Sequence, residues 1–427
     1  MSGKKKPAGK QIALCLLLTA AVDGLGVLLV TLLAVKGIVG EDRVPQALGA
    51  LAFCAAFAGG LPAGKGRLGP GGSLLNAGAF ALLLLLLCFG GWGEGIAVRG
   101  LIRLALILLG GLLAALLCGC AAQPVSSQSF ALDTVVTITI YAGGGEAEAQ
   151  AALARVDECE ALLSAHRQGS DIVFLNGADA DENVLVSPLT ADVLRAGLEI
   201  GEKTGGALDI TLYAVSQLWD YKSENPQVPD EAAVRAALEK SGRGRVCVEG
   251  NSVCTGGTQL DLGAIAKGAV GDEVMACLKE RGVVCALVNL GGNILTLGEK
   301  ADGSPWTIAV DSPFGEGYAG RIEVGGGKAV ATSSGAQRYF EKDGVVYHHI
   351  LDPETGYPAR SGLASVTVIA DDGLTADALS TALFVAGEAQ AARILEEQYP
   401  NVGAVLIRDD GSIRILGDVC FTEEAGA

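Results

Sequence analysis

The feature that most constrains this chain is a change in hydropathy near residue 120: long apolar runs precede that point, and most of the charge lies beyond it. After Lys4-Lys5-Lys6 and Lys10 comes an apolar run from Ile12 to about Val35, long enough to cross a hydrocarbon core of about 30 Å at about 1.5 Å per residue. Two further candidates, Ala47 to Leu61 and Leu74 to Trp92, are short or interrupted by glycine and read as spans or re-entrant pieces. Residues 1–95 are therefore expected to be a membrane region of about two to three transmembrane helices.

Residues 96–120 have a different plan. Arg99 and Arg103 precede an apolar stretch from Leu104 to Leu117 that closes in Leu117-Cys118-Gly119-Cys120, the layout of a signal peptide. Leu-x-Gly-Cys resembles the bacterial lipobox, which makes Cys120 a candidate lipid-anchored residue; a last transmembrane helix is the alternative, and either tethers the C-terminal part of the chain to a membrane. Basic residues at Lys4 to Lys10, Lys65/Arg67 and Arg99/Arg103 do not fix one topology, and the only methionines are Met1 and Met275. The polar stretch 121–129 reads as a linker, and 130–427 as the domain that carries the chemistry.

That domain holds most of the acidic surplus. The chain's 31 basic and 48 acidic residues leave a net charge of −17, which excludes a nucleic-acid footprint. Of the eleven cysteines, Cys159, Cys247, Cys254, Cys277, Cys285 and Cys420 lie beyond the apolar part and form no CxxC pair or zinc spacing. Most of them read as buried free thiols, with a disulfide or two left open.

From Leu132 to Tyr141 the pattern alternates like a strand, Ala147 to Ser164 has helical spacing, and later elements mix without regular βαβ repetition, so the class is α+β. Four segments carry chemistry. Leu260 to Gly268 reads as strand, glycine turn and helix start, where free N–H groups and Lys267 favour a phosphate, although a surface lysine explains Lys267 alone. Ala286 to Leu295 reads as two strands around Gly291-Gly292, a plain hairpin or a close ligand approach. Tyr347 to Gly356 holds His348 and His349, two of only three histidines, suited to neutral-pH acid/base work or to a structural role. In Thr375 to Phe384, Asp377 and Thr381 fall on one helix face at i,i+4, an oxygen pair suited to magnesium; an N-cap role for Thr375 or Asp377 competes.

The order of these segments resembles the ApbE family, the FAD:protein FMN transferases, across nearly all of 130 to 420. The resemblance runs through Leu132-Asp133-Thr134, where the family usually has Met-Gly-Thr, then Ser170-Asp171-Ile172 with Leu175-Asn176, and Gly206 to Thr211 before Leu218-Trp219. It continues with Leu260 to Gly268, Val288 to Asn293, Ala331 to Gly335 before Arg338-Tyr339-Phe340, His348 to Pro358, and Ala376 to Phe384. It implies a bilobed fold with mixed sheets and flanking helices, which binds FAD with Mg²⁺ at its pyrophosphate.

By position, the resemblance makes Ala264 (through its carbonyl), Asp377 and Thr381 the metal site. Ala207, Leu208, Asp209, Asp261, Lys267 and His349 become FAD contacts. Leu132 and His166 take positions of flavin-ring contacts, His166 standing where the family often has a tyrosine. Lys267 and Mg²⁺ then neutralise the pyrophosphate while His349, with His348 in reserve, serves as base for a Thr or Ser hydroxyl of a target flavoprotein, and AMP leaves. The implied acceptor is a subunit of a membrane redox complex or an extracytoplasmic electron-transfer protein, at a bacterial cell membrane. Two other readings stand beside this one: an FAD pyrophosphatase giving FMN and AMP, and a non-enzymatic FAD-binding lipoprotein.

Overall fold

The structure, a computed structural model, describes residues 123–221 and 223–424. The expected spans before residue 95, the signal-like segment and Cys120 lie outside the described residues. Among those described, no helix is long and apolar enough to cross a membrane.

From Pro124 onward the described residues form one compact unit built on an eight-stranded sheet: β1 (Val125–Ala131), β2 (Thr134–Ala142), β3 (Cys285–Leu290), β4 (Asn293–Leu297), β5 (Ala329–Ser334), β6 (Leu363–Ala370), β7 (Gly403–Arg408) and β8 (Ile413–Leu416). Neighbours in the sheet are in chain order, and every adjacent pair is antiparallel. The α+β class holds, but the expected mixed sheets do not: among the described residues every ladder is antiparallel, and the one parallel contact is an isolated bridge, Leu212 with Gln259. The sheet is a meander whose connections carry everything else.

Strand periodicity explains how the sheet serves two cores. Val136, Ile138 and Ile140 point to one face; on β5, Ala329 and Ala331 join them while Val330 points away, and on β7, Ala404 and Leu406 oppose Val405 and Ile407. The first face packs against helices α1 (Glu146–Leu163), α2 (Pro188–Lys203), α3 (Ala266–Glu280), α4 (Gly373–Ala386) and α5 (Glu388–Gln398). The second is covered by a small sheet of Trp306–Asp311, Tyr318–Val324 and Cys420–Glu423. A third apolar cluster gathers around Trp219, whose indole N–H donates to the carbonyl of Gly356 at 2.9 Å and so anchors the loop after His349.

Two boundaries differ from the sequence reading. The stretch taken as a linker, 121–129, contains most of β1, which pairs with β2 from Val125↔Ile140 to Ala131↔Thr134; polar serines hide an edge strand from a hydropathy argument. Leu132 and Asp133, read as strand, are instead the two-residue turn of this hairpin, both at positive φ (54° and 58°), the left-handed pair that such a turn requires.

Helices α3 and α4 cross at two glycines. A Cβ on Gly268 would stand 2.1 Å from the Gly373 carbonyl oxygen and 2.8 Å from Cβ of Asp377. At that crossing Gly268 N–H donates to Oδ2 of Asp377 (2.9 Å), and one turn further along α3, Asp272 accepts from Gly373 N–H (2.6 Å) and Leu374 N–H (2.9 Å). We expect Gly268→Ala to force α3 and α4 apart, at a cost of about 1–3 kcal/mol for overpacking. Thermal unfolding checks this, and an unchanged midpoint would contradict the crossing.

Candidate active site

The candidate residues assemble where the N-terminus of α3 meets α4 and the loops after β5 and before β6. The turn Asp261-Leu262-Gly263 is closed by Gly263 N–H on Asp261 Oδ1 (2.8 Å), and Asp261 Oδ2 accepts from the Ser216 hydroxyl (3.3 Å). Asp261 N–H donates to the Ile210 carbonyl (2.8 Å), which lays this turn beside Asp209. Asp209 Oδ1 accepts from both Thr211 N–H (2.8 Å) and Thr211 Oγ1 (2.6 Å), so its orientation is set within its own loop. Ala207 and Asp209 are half-buried, but the Leu208 side chain belongs to the core, leaving only its backbone free to meet a ligand.

At the head of α3, Lys267 Nζ lies 3.7 Å from Asp377 Oδ1, a loose ion pair longer than a direct hydrogen bond. Asp377 is only 3% exposed. Its competing reading as an N-cap is excluded, because α4 starts at Gly373 and its N-cap is Asp372, which accepts from Thr375 N–H. Thr381 Oγ1, one turn on, is 3.1 Å from Ser333 Oγ of β5, and Ser333 also meets Ser380 (2.8 Å).

Gly268 is the third residue of α3, whose N–H a helix start leaves without a backbone partner; Asp377 satisfies it from α4, while the i→i−4 bond of the next residue runs from Ala269 N–H to the Ile265 carbonyl (3.0 Å). Asp377, Thr381 and the Ala264 carbonyl are hard oxygen donors of the kind that hold magnesium with substrate phosphates. Among the described residues no group of three or more His, Cys, Asp or Glu side chains could hold a metal by itself.

The two histidines are separated by their surroundings. His348 ends a ribbon strand, Val345–His348, and is buried; its Nε2 donates to the Ala359 carbonyl (3.0 Å), and its ring meets Phe384 edge-on. His349 is half-buried, and its Nδ1 donates to the Arg338 carbonyl at 3.2 Å, which leaves Nε2 as the basic nitrogen of the neutral ring. Burial, aided by the charges of Arg338, His348 and Lys267, lowers the His349 pKa to about 4.

Leu132 and His166 lie at the side of this assembly. Leu132 N–H donates to Glu160 Oε1 (3.0 Å), and its side chain is half-buried against the core. His166 is exposed beside Tyr213, with Nδ1 and the phenol oxygen 3.5 Å apart. Burial and then the Asp261 charge raise the pKa of Tyr213, whose hydroxyl donates to the Ala165 carbonyl (3.4 Å). Tyr213, Ser216, Ser333 and Arg338 are residues that sequence reasoning missed. Each acts through a partner more than 10 positions away, and only the motif Ala331 to Phe340 drew attention to the last two.

Neither of the two cavities described encloses this assembly. One of about 580 Å³ lies by the N-terminus of α4, with Asp272, Lys328 and Tyr399 in its wall. The other, about 760 Å³, is on the opposite face of the sheet, between β5 and the hairpin 306–324. The candidate site is made of loop and helix ends.

The model of the ApbE family matches residues 132–406, and the chain belongs to that family. It is 33% identical to an FAD:protein FMN transferase of Treponema pallidum over 333 residues, 71% of this chain and 92% of the relative. It is 34% identical to one of Klebsiella pneumoniae, over 63% of this chain and 84% of the relative. Among solved structures, the ApbE protein of Thermotoga maritima aligns with a TM-score of 0.64 at 34% identity, over 69% of this chain and 97% of that one. The apo flavinyl transferase ApbE of Pseudomonas stutzeri aligns at 0.61 and 28%, over 71% and 95%.

The histidine pKa sets a pH test. Folded His349 stays neutral down to about 4, whereas in the unfolded chain it takes up a proton near its ordinary 6.5. Between those values the unfolded state binds more protons, so this residue lowers stability as pH falls from about 6.5 to about 4. Asp272, raised by burial to about 6, works in the opposite sense over an overlapping window and masks the slope. We expect His349→Gln to gain stability relative to the parent as pH drops from 7 to 4, measured by denaturant unfolding; parallel curves would contradict it.

Proposed function

We propose that this chain is an enzyme that transfers the FMN moiety of FAD to a Thr or Ser hydroxyl of a target flavoprotein and releases AMP, with Mg²⁺ required. The observation that carries this reading is the meeting, at one helix start, of an ammonium (Lys267) and a buried carboxylate with a hydroxyl one turn away (Asp377, Thr381), with the His349 imidazole, its Nε2 unprotonated, close enough to feel the Lys267 charge.

The Lys267 ammonium at the start of α3 receives the pyrophosphate. Asp261 and the 207–209 loop face the rest of the nucleotide, with Leu132 and His166 toward the flavin. Asp377, Thr381 and the Ala264 carbonyl would hold Mg²⁺, which supplies charge neutralisation to the phosphates when bound. His349 Nε2 takes the proton of the acceptor hydroxyl as its oxygen bonds to the FMN phosphorus. The bond from that phosphorus to the bridging oxygen breaks, and AMP departs with the electron pair. The lowered pKa keeps His349 in the neutral form that can accept a proton at neutral pH.

We place this domain outside the cytoplasm of a bacterial cell, tethered by the apolar N-terminal region or by a lipid at Cys120. Its acceptor is then a subunit of a membrane redox complex or an extracytoplasmic electron-transfer protein. The names carried by the relatives support the reaction, and the hydropathy of residues 1–120 supports the tether.

The full chain, FAD, Mg²⁺ and a purified candidate acceptor should give an acceptor band that keeps flavin fluorescence after denaturation. EDTA and Asp377→Ala should abolish it, and His349→Gln should slow it by about 10²–10⁴-fold, the usual worth of a general base. Free FMN and AMP without a labelled acceptor, repeated over several acceptors, would make the enzyme an FAD pyrophosphatase. Unchanged FAD would reduce it to a binding protein.

A further inference from the structure

Cys247 and Cys254 are seven positions apart and form no recognised spacing, yet the fold sets them face to face. The strands Cys247–Glu249 and Ser252–Cys254 make an antiparallel hairpin in register Cys247↔Cys254, Val248↔Val253, Glu249↔Ser252. Residues directly opposite in such a ladder share one face, with Cα atoms about 4.5–5.5 Å apart. A disulfide needs about 4.4–6.8 Å. Cys247 is exposed and Cys254 half-buried, so an external oxidant can reach the pair. In the dithiol form the sulfurs turn to separate partners, Cys254 Sγ to the Ala180 carbonyl (3.2 Å) and Cys247 Sγ to Glu249 Oε1 (3.9 Å), so closure asks for side-chain rotation and no rearrangement of strands.

We infer that Cys247 and Cys254 are a redox-active pair that closes to an intramolecular disulfide on meeting a small or protein-borne disulfide. The exposed Cys247 thiolate attacks one sulfur of the oxidant, whose S–S bond breaks and releases one thiolate. The Cys254 thiolate then attacks Cys247 Sγ in the mixed disulfide and expels the second. Two protein thiols lose two electrons, the oxidant gains them as two thiols, and the two protons pass to the departing thiolates.

The hairpin lies between segments of the candidate site. Just before it, Gly242 N–H donates to Thr211 Oγ1 (2.7 Å), the same hydroxyl that donates to Asp209. Just after it, Leu260 N–H is held by Asn176 Oδ1 (2.6 Å) and Asp261 N–H by the Ile210 carbonyl. A cross-link at the open end of so short a hairpin ties these two segments together at their common base. The inference stands on strand register and does not depend on the proposed transferase reaction.

The full chain is equilibrated in glutathione mixtures from reducing to oxidising, remaining thiols are trapped with iodoacetamide, and the protein is digested with trypsin. Cleavage after Arg245 and Lys267 leaves both cysteines, and no other, in one peptide. With rising oxidised glutathione, that peptide should pass from doubly alkylated to an unalkylated form two hydrogens lighter than the dithiol, reversibly, and C247S or C254S should abolish the form. Double alkylation across the whole range would overturn the inference, as would linkage of either residue to a different cysteine.

Discussion

The hydrogen bond from Gly268 N–H to the buried carboxylate of Asp377 is the contact on which the rest of the site depends. It exists because two helices meet through glycines, with no side chain to hold their backbones apart. It fixes one oxygen of Asp377 and leaves the other facing Lys267. It also satisfies a donor that the start of α3 leaves without a backbone partner. One amide thus orients a carboxylate, and Asp272 locks the same crossing by accepting two N–H groups from the start of α4.

The sheet supplies the frame for this crossing. A meander of antiparallel strands in chain order needs little of the chain to build, so its connections are free to carry the working parts. The helices and the Asp261 turn all arrive within the single long connection from β2 to β3, or between β6 and β7. Both sheet faces are covered, which ties each loop to a packed strand at both ends. His349 profits from this: the ribbon before it and the Trp219 cluster after it pin a short loop whose backbone and ring both address the Arg338 carbonyl.

Adjacent histidines with different fates illustrate how burial assigns roles. His348 points into the core against Phe384 and spends its Nε2 proton on Ala359. His349, one residue on, faces the other way, donates from Nδ1 and keeps Nε2 basic. The alternation of side chains along an extended segment makes this division unavoidable; which histidine faces which way depends on what packs against the strand.

The sequence by itself determined a good deal of this protein. Periodicity was enough for α1, β2 beyond its turn, the β3–β4 hairpin around Gly291-Gly292, and α4 with Asp377 and Thr381 on one face, because these depend on interactions within a few residues. Ordered motifs were enough for the family. What only the tertiary structure decided are the long-range partners: the glycine crossing, the Ser333–Thr381 contact, the His166–Tyr213 and Ser216–Asp261 contacts, the face-to-face placement of Cys247 and Cys254, and the recruitment of a polar stretch as β1. Each joins residues whose spacing along the chain carries no period, and hydropathy records burial without recording against what. A strand at a sheet edge, turned to solvent, leaves no apolar signal, so only its hydrogen bonds to a neighbour reveal it.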